Sequence, residues 1–292
     1  MRIGTRGSAL ALAQAHLVAR ALGGAELVEI VTSGDRSAPV GDKSRWVKEL
    51  EQALLDGEVD LAVHSAKDVP AALAAGLEIV GVPARADPRD ALCGAASIQA
   101  LPRGARVGTS SLRRKAQLLA AREDLEVVPL RGNVDTRLRK LGNEDLHAIV
   151  LARAGLERLD RAEGSVALDA DRFVPAPGQG TLALEGRGGD EAVGAAAAAL
   201  TDPDALACLA AERELSAALG ASCHTPIGGH AQVLADGRLT LRAFVGLPDG
   251  SAWLHDRLDG SAAQPEALGR DVAQRLLATG ARDLLEAAES AA

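Results

Sequence analysis

Residues 106–152 read RVGTSSLRRKAQLLAAREDLEVVPLRGNVDTRLRKLGNEDLHAIVLA, and this stretch decides the fold class. Short apolar runs alternate with segments of helical period. The spacing predicts strands over 106–108, 125–130 and 147–152, and helices over 111–122, 134–141 and 154–159. Strands that take turns with helices pair in parallel, because each helix carries the chain back across the sheet face.

The same rhythm runs upstream. Strands are expected over 1–5, 26–32, 59–64 and 77–82, and helices over 8–22 and 46–55. Ser8 is the candidate N-cap of the first helix. Residues 84–90 have the polar and proline content of a crossover. Two such units in series predict two similar α/β domains with a cleft between them. Open α/β sheets bind ligands at the carboxyl ends of their strands.

Downstream, Val174–Gly180 reads VPAPGQG, a hinge candidate. A strand over 181–185 would return to the first domain. From Pro203 the pattern changes to a helix over 204–219, strands near 230–234, 239–245 and 252–258, and helices over 265–278 and 281–288. Asp-Gly turns separate these strands, which is hairpin chemistry. The expected division is 1–86 with 180–200, then 87–179, then an α+β domain over 203–292.

Composition narrows the function. Aromatic residues make up 1% of the 292, with no Tyr, so the core must be aliphatic. A net charge of −8 disfavours nucleic acid and anionic membrane as partners. Two Trp and two Phe leave little for base stacking. The three cysteines, Cys93, Cys208 and Cys223, have no spacing for a disulfide framework or a zinc site. That fits a reducing compartment. The apolar run at 9–13 is too short for a signal core, and no segment has the length of a membrane span.

Between Arg103 and Lys140 stand ten Lys/Arg against four Asp/Glu. A charge run is ordinarily a solvated helix face. Here, however, Thr109, Ser110, Ser111, Arg113 and Arg114 fall where a strand enters a helix, and Arg131, Gly132 and Arg137 repeat that placement at the next strand end. Arg6 and Ser8 occupy the same kind of position in the first domain. Helix starts with free N–H groups and arginines bind anions, and Arg suits carboxylates bidentately. Several such strand ends point to a ligand with several carboxylates.

His64-Ser65-Ala66-Lys67-Asp68-Val69-Pro70 ends a buried-type strand. Asp68 there is a candidate general acid/base or stabiliser of developing positive charge, against the alternatives of an ion pair with Lys67 or an Asx turn. His64 reads as packed. Cys223 lies in a Gly/Ser/Pro loop, GASCHTPIGG at 220–229, where a thiol is accessible; the alternative is a spectator thiol.

Six motifs stand in one order: HSAKDVP at 64–70, DPRDAL at 87–92, VGTSSLRRKAQL at 107–118, LRGNVDTRL at 130–138, PGQG at 177–180 and AERELSAALGASCHTPIGGHA at 211–231. With TRGSALALAQA at 5–15 they resemble the porphobilinogen deaminase (hydroxymethylbilane synthase) family over nearly the whole chain. The resemblance implies two α/β domains like type II periplasmic binding proteins plus a C-terminal α+β domain. It implies a cytoplasmic, monomeric transferase that joins four porphobilinogen units head to tail, each with loss of ammonia, into hydroxymethylbilane.

The resemblance also implies one covalent dipyrromethane cofactor per chain, bound through a thioether to Cys223, and no metal. It assigns catalysis to Asp68. It assigns cofactor contacts to Ser65, Lys67, Thr109, Ser110, Arg113, Arg114, Arg131 and Gly132, and substrate contacts to Arg6, Ser8, Gln14, Arg137 and Arg158. One stretch departs from the family's Gly-Lys-Gly-Leu-Phe type loop. It reads Asp42-Lys43-Ser44-Arg45-Trp46, keeping the lysine, losing the glycines and carrying Trp for Phe. The competing reading is a two-lobed protein that captures a polycarboxylate without chemistry.

Overall fold

The computed structural model describes residues 1–33, 46–143, 145–220 and 225–290. The first sheet comprises β1 (Arg2–Thr5), β2 (Glu26–Glu29), β3 (Leu61–Ser65), β4 (Leu77–Gly81) and β10 (Leu182–Arg187), in the order β2-β1-β3-β10-β4. β1 runs parallel to β2 and β3, whereas β10 is antiparallel to both of its neighbours. The second sheet comprises β5 (Asp90–Cys93), β6 (Arg106–Gly108), β7 (Glu126–Val128), β8 (Ala148–Ala152) and β9 (Ser165–Ala167), in the order β7-β6-β8-β5-β9. Here β6 is parallel to β7 and β8, and β5 is antiparallel to β8 and β9.

The two sheets share one plan. In each, the antiparallel fourth strand lies next to a crossover: β5 just after the first crossing, β10 just after the return. The crossings lie side by side, with the Ala86 amide donating to the Gly180 carbonyl at 3.2 Å. Gly180 has φ +88°, and a Cβ there would sit 2.5 Å from the Ala86 oxygen, so only glycine fits.

Helices cover both sheets. α1 (Ala9–Ala21) starts at Ser8, whose hydroxyl accepts from the Ala11 amide as a cap should. α2 (Lys48–Leu55), α3 (Leu112–Ala121), α4 (Val134–Asn143), α5 (Arg153–Glu157) and α6 (Glu191–Ala198) follow. Ile3, Val18, Leu61 and Leu184 pack in the first lobe; Leu92, Val107, Leu118 and Val150 pack in the second. The largest fully buried side chains are all Leu or Ile, as an aromatic-poor chain requires.

The third unit opens with α7 (Pro203–Ala218), capped by Asp202. An antiparallel sheet follows, formed by β11 (Ile227–Val233), β12 (Arg238–Gly246) and β13 (Trp253–Ser261). α8 (Pro265–Ala278) and α9 (Ala281–Ser290) complete it around Leu215, Leu241, Val245 and Val272. This unit touches both lobes. Ala205 and Leu209 of α7 pack with Ala66, Val69 and Ala183, while Phe244 of β12 packs on Ala116 and Val174. Two α/β lobes with a C-terminal α+β domain is the fold class expected.

Several details differ from the expectation. β7 stops at Val128 because Pro129, lacking an N–H, cannot continue the ladder. β5 and β9 were not expected, and the two lobe sheets, expected to be mostly parallel, each pair two junctions parallel and two antiparallel. Among the described residues, no single helix is long and apolar enough to cross a membrane.

Candidate functional site

The carboxyl ends of β1 and β3 open into a partly open pocket. Arg6 and Ser8 line it from the β1–α1 junction, Gln14 from α1, Ser65 and Asp68 from the end of β3, and Trp46 from just before α2. Gln14, buried on α1, donates to the Ser65 hydroxyl at 2.9 Å, which ties the two strand ends together. The Arg6 guanidinium lies 3.9 Å from the centroid of the Trp46 ring. His64, one residue before Ser65, is buried with its Nε2 2.9 Å from Glu185 Oε2. It is packed, as expected, though it also forms part of the pocket wall.

Residues Ala66–Asp68 form one 3₁₀ turn, and the turn is braced from two sides. Gly178, at φ +73°, approaches so closely that a Cβ would meet the Lys67 amide at 2.9 Å. Arg213 of α7 donates to the Pro70 and Ala71 carbonyls, both at 2.9 Å. The Asp68 carboxylate has no hydrogen bond or ion pair among the described residues and is half-buried on the pocket wall.

The second lobe supplies a separate set at the ends of β6 and β7. Ser110 donates to the Leu130 carbonyl at 2.9 Å, so its hydroxyl joins the two strand ends. Thr109 accepts from the Ser111 amide, and Ser111 caps α3 at the Arg114 amide. Arg131 and Gly132 are exposed; Gly132 has φ +120°, and a Cβ would strike Thr136 at 2.7 Å. None of these residues lines the first-lobe pocket.

Arg113 and Arg114 do not stand open at the helix start. Both are buried on one carboxylate, Asp90 at the start of β5. Arg113 grips it with Nη1 at 2.7 Å and Nη2 at 3.2 Å, and Arg114 with Nε at 2.9 Å and Nη2 at 2.8 Å. Further donors reach the Val174 and Val150 carbonyls. Burial would raise the Asp90 pKa, but the two guanidiniums outweigh it and hold the carboxyl below the usual range. Of five N–H donors on each guanidinium, about two remain on each side chain.

Two other basic groups, Arg137 and Arg158, have no such carboxylate among the described residues. Arg137 donates to the Gly132 carbonyl at 2.7 Å, and Arg158 to the Gly180 carbonyl at 2.7 Å. Neither has a carboxylate within ion-pairing distance among the described residues. Burial, with Arg114 nearby, pushes the Arg137 pKa down, and burial lowers Arg158 to about 10 despite Glu157. Burial likewise pushes Lys67 down to about 8; Asp68 and Asp90 oppose this, and Arg114 and Arg113 add to it. Half-buried cations held by neutral carbonyls, as Arg137 and Arg158 are, favour an incoming anion, because its charge relieves their desolvation.

A polar chain links the two sets. Lys67 Nζ donates to Gln179 Oε1 at 3.3 Å, and Gln179 Nε2 donates to Asp90 Oδ1 at 3.0 Å and the Pro88 carbonyl at 2.8 Å. The turn bearing Asp68 is thereby wired through the 174–180 crossover to the arginine pair. Asp90, Gln179, Arg85, Glu212 and Arg213 were not singled out from the sequence. A polar Gln between the two glycines of PGQG was the visible signal for one of them.

Glu212 is fully buried on α7. It accepts from Arg85 Nη1 at 2.7 Å and Nη2 at 3.1 Å, and from the Gly178 and Ala231 amides at 2.6 and 2.7 Å. Cys223 and His224 lie outside the described residues, as do residues 42–45 of the altered loop. Cys93 and Cys208 are free and buried, and burial raises both thiols to about 11, so neither is a ready nucleophile. Among the described residues, no cluster of His, Cys, Asp or Glu could hold a metal ion.

Two family models match the chain. The porphobilinogen deaminase dipyrromethane cofactor binding domain spans residues 1–195, and the porphobilinogen deaminase C-terminal domain spans 206–278. Curated relatives match along nearly their full length. The porphobilinogen deaminase of Thiobacillus denitrificans is 47% identical, with 98% of each chain covered. That of Thermus thermophilus is 46% identical with 97% of each covered, and that of Xanthomonas euvesicatoria is 49% identical with 98% of each covered.

Proposed function

The chain belongs to the porphobilinogen deaminase family, and from that premise we propose which of its residues carry the reaction. It is a hydroxymethylbilane synthase. It condenses four porphobilinogen molecules head to tail, with loss of ammonia, on a covalently bound dipyrromethane. This sets aside the non-catalytic binding protein. When bound, the dipyrromethane supplies the pyrrole carbon to which the first unit is joined.

Asp68 is the catalytic group in this reading. Loss of ammonia leaves a cationic methylene on the substrate pyrrole, and a carboxylate beside the ring N–H stabilises that charge. After the new carbon–carbon bond forms, Asp68 takes up the proton that the ring carbon must lose. One observation carries the assignment: Asp68 has no hydrogen-bond or ion-pair partner among the described residues, and it shares one pocket with Arg6, Ser8 and Gln14. Those three, with Arg137 and Arg158, receive the acetate and propionate of the incoming unit.

Cys223 holds the cofactor by a thioether, and Ser65, Lys67, Thr109, Ser110, Arg131 and Gly132 hold its carboxylates and rings. Arg113 and Arg114 contribute the donors that Asp90 leaves unused. The donor set suits a polycarboxylate, since Lys67, Arg137 and Arg158 all carry desolvated charge. The working units are residues 1–86 with 180–200, 87–179 and 203–292, a division supported by the membership of the three sheets. We place the enzyme in the cytoplasm as a monomer without nucleic-acid or membrane partners. The net charge of −8 speaks against nucleic acid and anionic membrane, and the absence of a disulfide spacing among its three cysteines fits a reducing compartment.

Intact mass tests the reading. Purified protein should exceed its sequence mass by two pyrrole units, and Cys223→Ser should remove the excess. Active protein with an unmodified Cys223 would refute it.

A further inference from the structure

Glu185 is a fully buried carboxylate on β10. Across the β3–β10 ladder Ala183 pairs with His64 and Glu185 with Ala62, so His64 and Glu185 are diagonal neighbours on one face of the sheet. Their Nε2 and Oε2 stand 2.9 Å apart. Nε2 and both carboxylate oxygens are buried and make no hydrogen bond elsewhere among the described residues. Arg213 of α7 lies within electrostatic reach of Glu185, yet it makes no ion pair with it and donates to the Pro70 and Ala71 carbonyls instead.

An ionised carboxylate sealed from water needs a counter-charge in contact with it. Among the described residues the His64 imidazole is the group placed to give one. The pair therefore holds one proton beyond the single N–H of a neutral histidine, as imidazolium with carboxylate or as imidazole with carboxylic acid. Taking that proton away leaves a net buried negative charge, so an emptied pair draws a proton from an acid within reach. His64 also lines the pocket that holds Asp68, and its Nδ1 makes no hydrogen bond among the described residues.

We propose that His64, backed by Glu185, is the proton carrier that returns Asp68 to its ionised form between condensations. The inference rests on the reading of Asp68 as the group that takes up the ring-carbon proton. When the C–N bond of porphobilinogen breaks, ammonia leaves with the bonding electron pair. It takes a proton from His64 and departs as ammonium, which has no lone pair with which to recombine with the cationic methylene. The new carbon–carbon bond forms, the ring C–H bond breaks, and Asp68 takes that proton. Asp68 passes it to His64, directly or through one water, and the pair is refilled for the next unit. Each cycle turns one substrate ammonium group and one ring C–H into one carbon–carbon bond and one free ammonium ion, with no other reactant.

Rapid quench followed by intact mass, which counts the pyrrole units gained, tests this on the cofactor-loaded enzyme. His64→Asn and Glu185→Gln each slow unit addition about a hundredfold, the range for one general acid–base group. KM for porphobilinogen stays within about twofold, since substrate contacts are kept. The double variant, a neutral Asn–Gln pair with no buried charge, is slowed no more than the slower single variant, because the two residues act as one unit. In His64→Asn, imidazole buffer raised at fixed pH and ionic strength restores the rate, as a small base takes over the transfer; a misplaced wall residue gives no such response. In the unaltered enzyme unit addition is slower in D₂O, because these transfers move exchangeable protons.

Single variants whose addition rates stay within about threefold of the parent overturn the inference. So does a double variant slowed by the product of the two single effects, or a His64→Asn rate that ignores buffer. Equal rates in H₂O and D₂O overturn it as well, and that measurement needs no substitution. Failure of the Asp68 reading is distinguishable. If Asp68→Asn keeps near-normal addition, Asp68 is not the proton acceptor and both readings fall. If Asp68→Asn is inactive while His64→Asn adds units at the parent rate, only the role of His64 falls.

Discussion

Replacing Glu212 by Gln removes a single oxygen and a charge at the junction of all three units. The carboxylate receives four hydrogen bonds, two from Arg85 and two from the Gly178 and Ala231 amides, at 2.6 to 3.1 Å. Each oxygen takes one guanidinium donor and one amide. Whichever oxygen becomes the NH₂ group then faces two N–H donors, one of them on a buried cation. Breaking one partner of a buried pair costs ~3–5 kcal/mol, and an orphaned backbone N–H adds ~1 kcal/mol or more. We expect a loss near 4 kcal/mol, or roughly 8 °C in Tm for a chain of this size.

The loss should fall on domain docking, because Glu212 belongs to α7 whereas Arg85 and Gly178 belong to the crossovers. Thermal unfolding followed by circular dichroism should show the third domain melting first in the variant. Burial alone would raise the Glu212 pKa, but Arg85 and His230 outweigh it and hold the value below the ordinary 4.5. This contribution is therefore present above the ordinary glutamate range and is lost as pH falls through the lower folded value. The variant should show a shallower loss of stability on acidification. A Tm within 2 °C of the parent, with an unchanged acid slope, would refute the reasoning.

Asp68→Asn should leave folding and the mass excess intact yet nearly abolish turnover; near-normal rates would remove Asp68 from the chemistry. Lys67, with its pKa lowered to about 8, should bind carboxylate progressively less well as pH climbs past that value. Ligand binding there should draw a proton from solvent, measurable by calorimetry in buffers of different ionisation heat, and a pH-independent affinity between 7 and 9.5 would contradict it. The sign for stability is opposite: the ligand-free fold binds fewer protons than the unfolded chain between about 8 and 10.5, so its stability rises with pH across that window. Gly180→Ala, forced against the Ala86 carbonyl at 2.5 Å with φ +88°, should destabilise the crossovers by more than ~1 kcal/mol in urea unfolding.

Local chemistry was legible in the sequence where the signal is local. Ser8 caps α1 because a hydroxyl before an apolar-periodic run has one common use. Strand–helix alternation announced both lobes, and the Asp-Gly turns announced the hairpins of the third unit. What escaped was set by distant partners. β5 and β9 are four- and three-residue strands, too short for any period to emerge. The arginines after β6 were legible as an anion site, but Asp90, 23 residues from Arg113, is the protein's own anion there. Glu212 and Gln179 find their partners across the crossovers, which periodicity does not describe. At the first lobe, the strand-end rule brought Arg6, Ser8, Ser65 and Asp68 to one pocket, since that rule follows from sheet topology, whereas Gln14 of the same pocket was named only by the family resemblance.

The late return of β10 to the first sheet sets the order in which the chain can fold as it is made. The lobe that starts at residue 1 cannot complete its sheet until β10, Leu182–Arg187, leaves the ribosome, so β3 and β4 wait with bare edges while the intervening lobe is synthesised. The intervening lobe is contiguous and can close first, against the usual expectation that the amino-terminal unit folds earliest. A nascent chain stalled before residue 182 therefore exposes unpaired strands, a sticky species and a natural client for a chaperone.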